Sequence, residues 1–173
     1  VIFTNNAKVY VNDKETDNVK ASVKMNWIEK SGIINRNDGT IQWTININND
    51  GYSIENPIIT DYIPDGLTFV EGSAKISISN GEFNDIAPAV SVDNVLTYTY
   101  TGTLTGQATL KYVTVVVNWD EYLKGNDAKN FQNSASLSWE NSNYGSPSAA
   151  DTVGVIGQGG ILNKTAEAKK TYD

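Results

Sequence analysis

GTIQWTININN, residues 39–49, alternates with period two: Ile41, Trp43, Ile45 and Ile47 fall on one face, and Gln42, Thr44, Asn46 and Asn48 on the other. That is a strand with one face in a core. The Asn49-Asp50-Gly51 behind it is a turn signal, with Gly51 free to take positive φ. NPIITDYI at 56–63 reads as the next strand, closed by the turn Pro64-Asp65-Gly66. Further strands are expected at 67–71, 74–79, 95–101, 108–119, 131–140 and 150–156. One helical turn is expected near 119–126, where Asp120 and Glu121 favour a helix start and Gly125 its end. Short strands broken by turns predict an all-β fold, a β-sandwich.

Composition bounds the chemistry. The chain has 173 residues, no histidine and no cysteine. Those absences exclude Ser-His-Asp and Cys-His catalysis, Cys/His zinc sites and disulfide staples. The net charge of −7, with its basic residues scattered, argues against nucleic acid and anionic membrane as partners. No stretch approaches the roughly 20 apolar residues of a membrane helix. Asp13, Asp17, Asp38, Asp50, Asp65 and Asp85 lie in scattered turns without calcium-loop spacing, so no metal and no cofactor is expected. Richness in Asn, Thr, Ser, Tyr and Val suits an extracellular β-protein.

A repeat sets the expected domain organisation. FTNNAKV at 3–9 echoes FQNSASL at 131–137, with Phe, Asn and Ala in register, and each copy leads to a lysine-bearing strand, around Lys30 and Lys164. The economical reading is a piece of a tandem array. Residues 1–20 are then the tail of a preceding module, 21–158 a complete module, and 159–173 the first strand of the next. The Gly-rich GVIGQGG at 154–160 is the expected hinge. Neighbouring modules of the same protein become its first expected partners.

Three polar residues occupy apolar phases. Asp61 is in phase with Ile59 and Ile63, Asn133 with Phe131, Ala135, Leu137 and Trp139, and Lys30 with Ile28. Burial lowers a lysine pKa and raises an aspartate pKa. A neutral lysine amine is a nucleophile, and a protonated aspartic acid polarises a carboxamide carbonyl. Attack of Lys30 on Asn133, assisted by Asp61, would expel ammonia and leave an isopeptide bond. Such a protein turns over once, on itself, and is not otherwise an enzyme. Plainer readings stand beside this one: a solvated Lys30 with Lys24 in its place, a turn-capping Asp61, and an Asn133 that bonds nearby backbone. Trp43, Tyr98, Tyr100, Tyr112 and Trp139 fill a core or line a glycan-binding face, core being favoured for the two tryptophans.

The run EKSG…TIQWTININNDGYSIENPIITDYIPDGLTF, followed by NFQNSASLSW, resembles the isopeptide-forming modules of Gram-positive surface adhesins of the collagen-binding type. The resemblance covers about residues 26–140. It implies an immunoglobulin-like sandwich with extra strands, Lys30 and Asn133 as the cross-linked pair and Asp61 as the assisting acid. It also implies an extracellular, cell-wall-anchored location. Ligand-binding members enclose their target between two adjacent modules, and one whole module is read here. The function expected is therefore a stalk or adhesin repeat module. The alternative is a domain gripping a host matrix protein such as collagen or fibrinogen.

Overall fold

The structure, a computed structural model, describes residues 2–12, 14–125, 128–143 and 145–156. Strands β1 (Ile2–Val11) and β2 (Lys14–Lys24) pair antiparallel with each other in a two-stranded sheet of their own. β2 runs through the boundary expected at residue 20, and Lys24 closes it. Lys164 and the rest of 159–173 lie outside the described residues.

Two larger sheets follow. The first joins β3 (Ile28–Asn35), β4 (Thr40–Ile47), β12 (Ala108–Val116), β7 (Lys75–Ile78) and β8 (Asn84–Asp85) in that order, with β6 (Leu67–Phe69) also on β12. The second joins β14 (Ser148–Ile156), β13 (Ala128–Glu140), β5 (Ile54–Tyr62), β10 (Val95–Thr99) and β9 (Ala89–Val90), with β11 (Thr103–Leu104) also on β5. The pairings are antiparallel. The expected sandwich is the observed one. The expected helical turn is α1 (Trp119–Lys124), with Asp120 and Glu121 in its first turn and Gly125 as its C-cap.

The core forms where the alternation places it. Ile41, Trp43, Ile45 and Ile47 of β4 are at most 1% exposed, and face Ile59, Phe131, Ala135 and Leu137 of the other sheet. The last position of the opening pattern differs. Asn48, expected toward solvent, is 0% exposed, because the chain leaves the strand there in the left-handed conformation (φ 54°) and swings the side chain inward. Its amide donates to the carbonyls of Tyr52 (2.6 Å) and Gly106 (3.1 Å), and its Oδ1 accepts from the Tyr52 N–H (3.0 Å). One asparagine thus ties the β4–β5 turn to the loop before β12. The hinge expectation is also corrected in part: Gly154, Val155 and Ile156 are β14 residues, paired with Asn130, Lys129 and Ala128. Val155 is fully buried, an apolar anchor that glycine content alone hides. Residues 157–160 of that stretch lie outside the described residues.

Asn48→Ala removes three hydrogen bonds and puts a Cβ-bearing residue without a local side-chain partner in the left-handed region. It should lower stability by about 2–4 kcal/mol in urea unfolding. Asn48→Gly keeps the backbone and should lose about 1 kcal/mol less. Equal losses would show that backbone conformation contributes nothing at this turn.

Candidate functional site

Alternation turns Lys30 of β3 inward from the first sheet, and Asp61 of β5 and Asn133 of β13 inward from the second. Lys30 pairs in register with Ile45 across to β4, so its long side chain rises from an apolar row. Asp61 stands opposite Ala135 on β13, which makes Asn133 its diagonal neighbour on the same face, within reach of a long or polar side chain. The structure therefore brings all three sequence-expected residues together between the sheets.

The set is dry. The Lys30 and Asp61 side chains are both 0% exposed, as is Asn133. Lys30 Nζ contacts Asp61 Oδ2 in a short hydrogen bond. It also lies 3.4 Å from the Tyr112 hydroxyl, and Asn133 Nδ2 donates to that same hydroxyl at 2.7 Å. Asp61 Oδ1 and Asn133 Oδ1 are buried acceptors with no donor facing them. A proton on Asp61 would turn one of these buried acceptors into a donor.

Electrostatics favours that proton. Burial is the largest influence on Lys30 and pulls its pKa down, opposed by the attraction of Asp61 and, further off, Asp151. Burial likewise pushes the Asp61 carboxyl up, opposed first by Lys30 and more weakly by Tyr112 and Asn133. Both shifts act in the direction of the uncharged forms, a neutral amine beside a neutral acid. The Trp43 and Tyr112 rings, 5.0 and 5.3 Å from Nζ, offer an ammonium some compensation, but less than water would.

Gly32, two residues beyond Lys30, makes room for this lid. A Cβ there would sit 2.4 Å from Trp43 Cζ3 and 2.7 Å from Val153 Cγ2, so only glycine lets the indole lie flat across β3. The indole is pinned by Trp43 Nε1 donating to Thr114 Oγ1 (3.0 Å), and the Gly32 N–H donates to Asp151 Oδ2 (2.8 Å) across to β14.

Tyr112 is the residue that sequence reasoning left among the aromatics. It is fully buried, in phase with Leu110 and Thr114, and burial pushes its phenol pKa up. The signal was its hydroxyl: a tyrosine on a core-facing strand needs a polar partner inside. Tyr98, Tyr100 and Trp139 pack partly buried against the core, and Trp43 is wholly within it, as favoured for that tryptophan. No group of acidic side chains among the described residues is placed to hold a metal ion.

Beside the site, a cleft of about 650 Å³ opens between β3 and β14, lined by Met25, Trp27 and Ile28 on one side and Pro147, Ala149 and Ala150 on the other. Trp27 packs against Trp139 at a ring separation of 4.7 Å, the two planes tilted by 36°.

A family model described as collagen binding domain matches residues 25–145. No curated protein matches the chain. Among solved structures, the collagen-binding domain of a Staphylococcus aureus adhesin superposes with a TM-score of 0.54 at 17% identity, over 76% of this chain and 99% of that one. The collagen-binding subdomain of the Enterococcus faecalis surface protein ACE gives 0.54 at 15% identity, over 78% and 99%. BcpA, the major pilin subunit of Bacillus cereus, gives 0.53 at 16% identity, over 88% and 48%. Identities this low show a shared fold.

Lys30→Met leaves Asp61 buried without its amine. With its folded pKa raised above the ordinary value, the acid contributes stability at low pH that is lost as pH rises. Stability should fall by about 1.4 kcal/mol per pH unit once pH passes about 4, until the raised pKa is reached. Asn133→Ala keeps the Lys30–Asp61 pair, which holds one titrating proton between its members, folded as unfolded, near neutrality, and should show a flat profile there. A flat profile for Lys30→Met would mean that Asp61 ionises freely in the fold.

Proposed function

We propose that this chain, which belongs to the collagen-binding domain family, is an adhesin module of a bacterial surface protein that locks itself with an isopeptide bond between Lys30 and Asn133. The observation that carries this reading is the dry set of amine, acid and carboxamide spanning the two sheets, the amine on the acid and the carboxamide linked to the amine through the Tyr112 hydroxyl. The chemistry follows from the charge states. Asp61 takes the proton that Lys30 would otherwise carry, freeing the amine lone pair. The amine attacks Asn133 Cγ while the acid donates to Oδ1 and steadies the developing oxyanion. Collapse expels Nδ2 as ammonia. The resulting closed loop of about 100 residues restricts the unfolded chain by about 4–5 kcal/mol, on the entropy account used for disulfides.

The pilin and adhesin folds beside it support a load-bearing part at the cell surface, outside the cell and carried on the wall. The repeat of FTNNAKV and FQNSASL supports neighbouring modules as partners, with 1–20 and 159–173 belonging to them and 21–158 forming the module itself.

Intact mass tests the bond directly. The wild-type chain should weigh one ammonia less than its calculated mass, and Asp61→Ala and Asn133→Ala the full value. Lys30→Met should fold, melt earlier and digest faster. A wild-type chain at full mass refutes the bond, and an Asp61→Ala chain that still lost ammonia removes Asp61 from it.

A second reading, recognition of collagen, is favoured by the family match and by the partly apolar cleft between β3 and β14. Titration with a triple-helical collagen peptide should then show saturable binding that Met25→Glu weakens. Binding left intact by that change would move the contact surface elsewhere.

A further inference from the structure

The proposed bond has a proton problem that Lys30, Asp61 and Asn133 do not by themselves solve. Closing the amide from a neutral amine and a carboxamide requires Nζ to lose one hydrogen and Nδ2 to gain one, since it must leave as ammonia. Asp61 touches Nζ, and in the proposed step its proton goes to Oδ1 as the oxyanion forms. The group that touches both nitrogens is the Tyr112 hydroxyl, 3.4 Å from Nζ and 2.7 Å from Nδ2.

We propose that Tyr112 is a catalytic residue of the cross-linking reaction, its hydroxyl relaying the proton from Lys30 Nζ to the departing Asn133 nitrogen. The inference rests on the isopeptide reading above. In the starting arrangement Nδ2 is a planar amide nitrogen with no basic lone pair, and it donates to Tyr112 Oη. Attack makes Cγ tetrahedral, so Nδ2 becomes an amine with a lone pair while Nζ becomes a cation. The hydrogen bonds then reverse. Nζ–H donates to Oη, Oη–H passes to Nδ2, the Cγ–Nδ2 bond breaks, and the carbonyl re-forms as Oδ1 returns its proton to Asp61. Lysine amine and asparagine carboxamide become one amide and one ammonia, with Tyr112 and Asp61 restored. A phenol whose pKa burial pushes up, as here, stays protonated and gives its proton up only as it takes another from Nζ.

Geometry also gives the hydroxyl an orienting part. By accepting from Nδ2 it fixes which end of the carboxamide faces the tyrosine and which faces Asp61. The ring is held for this, packed against Phe69 at a centroid distance of 6.0 Å and beside Trp43 in the β4–β12 register.

The test follows newly made full-length chain in a cell-free synthesis reaction, sampled over time by intact mass. Wild type should lose ammonia as fast as it folds, at a rate that hardly changes from acidic to mildly alkaline buffer, because the proton never passes through water. Tyr112→Phe, which keeps the ring, should fold to an unreacted species that closes at least 100-fold more slowly, in the range typical for loss of one general acid–base group. Its rate should become pH-dependent, which a purely structural defect would not produce. A Tyr112→Phe chain that closes at the wild-type rate overturns the relay while leaving the Lys30–Asn133 bond intact. A wild-type chain that never loses ammonia overturns both. Should Tyr112→Phe fail to fold, the wild-type pH profile decides: a rate that tracks buffer pH means the proton comes from solvent, and the relay is wrong.

Discussion

Exclusion of water from the seam between the two sheets is the constraint on which the rest depends. An amine and a carboxyl group there lose hydration worth several kcal/mol each if they stay charged, and a single short contact returns only part of it. Neutralisation is the cheaper solution, and it is also what turns a poor nucleophile into a good one. In the proposed reaction, the same desolvation that would make Lys30 and Asp61 a liability in an ordinary core makes them a reagent and its acid. Amide formation would then remove the problem at its source, because neither the amine nor a charge would remain to be solvated.

The surrounding core is built to tolerate this. Two pairs of its polar side chains are hydrogen-bonded, Trp43 with Thr114 and Tyr112 with Asn133, and the strands that carry them are the central ones of each sheet or their direct neighbours. Gly32 lets the Trp43 indole seal the seam from the β3 side, and Val153 of β14 meets the same spot from the other sheet. The site is thus closed by the edges of both sheets, and it forms only when they have docked.

Much of this was legible in the chain because period-two alternation reports burial residue by residue. A charged or amide side chain in an apolar phase stands out, and Lys30, Asp61 and Asn133 were found that way. Tyr112 was not, because a tyrosine in an apolar phase looks like packing, and its hydroxyl gains meaning only beside two nitrogens from strands 82 and 21 residues away in sequence. Asn48 was misplaced for a local reason: alternation assumes the strand continues, and a left-handed residue ends it. Gly32 is a bare spacing in the sequence until the indole that lies over it is known. The β1–β2 hairpin shows a further limit, since the echo between 3–9 and 131–137 carries no information on which strand pairs with which.

The positions of Lys30 and Asn133 along the chain decide how a module cross-linked there, as proposed, would carry a load. With Lys30 three residues into β3 and Asn133 in the middle of β13, a pull entering at Ile156 and leaving at Ile28 passes through the cross-link and bypasses residues 31–132. The core strands β4, β5 and β12 are then mechanically short-circuited, slack within a taut path. What remains in series with the load is β14 and the last part of β13, held to the rest by hydrogen bonds and core packing without a covalent tie. That stretch can peel away under force and zip back when it drops, giving an extensible element at one end of a covalent strut.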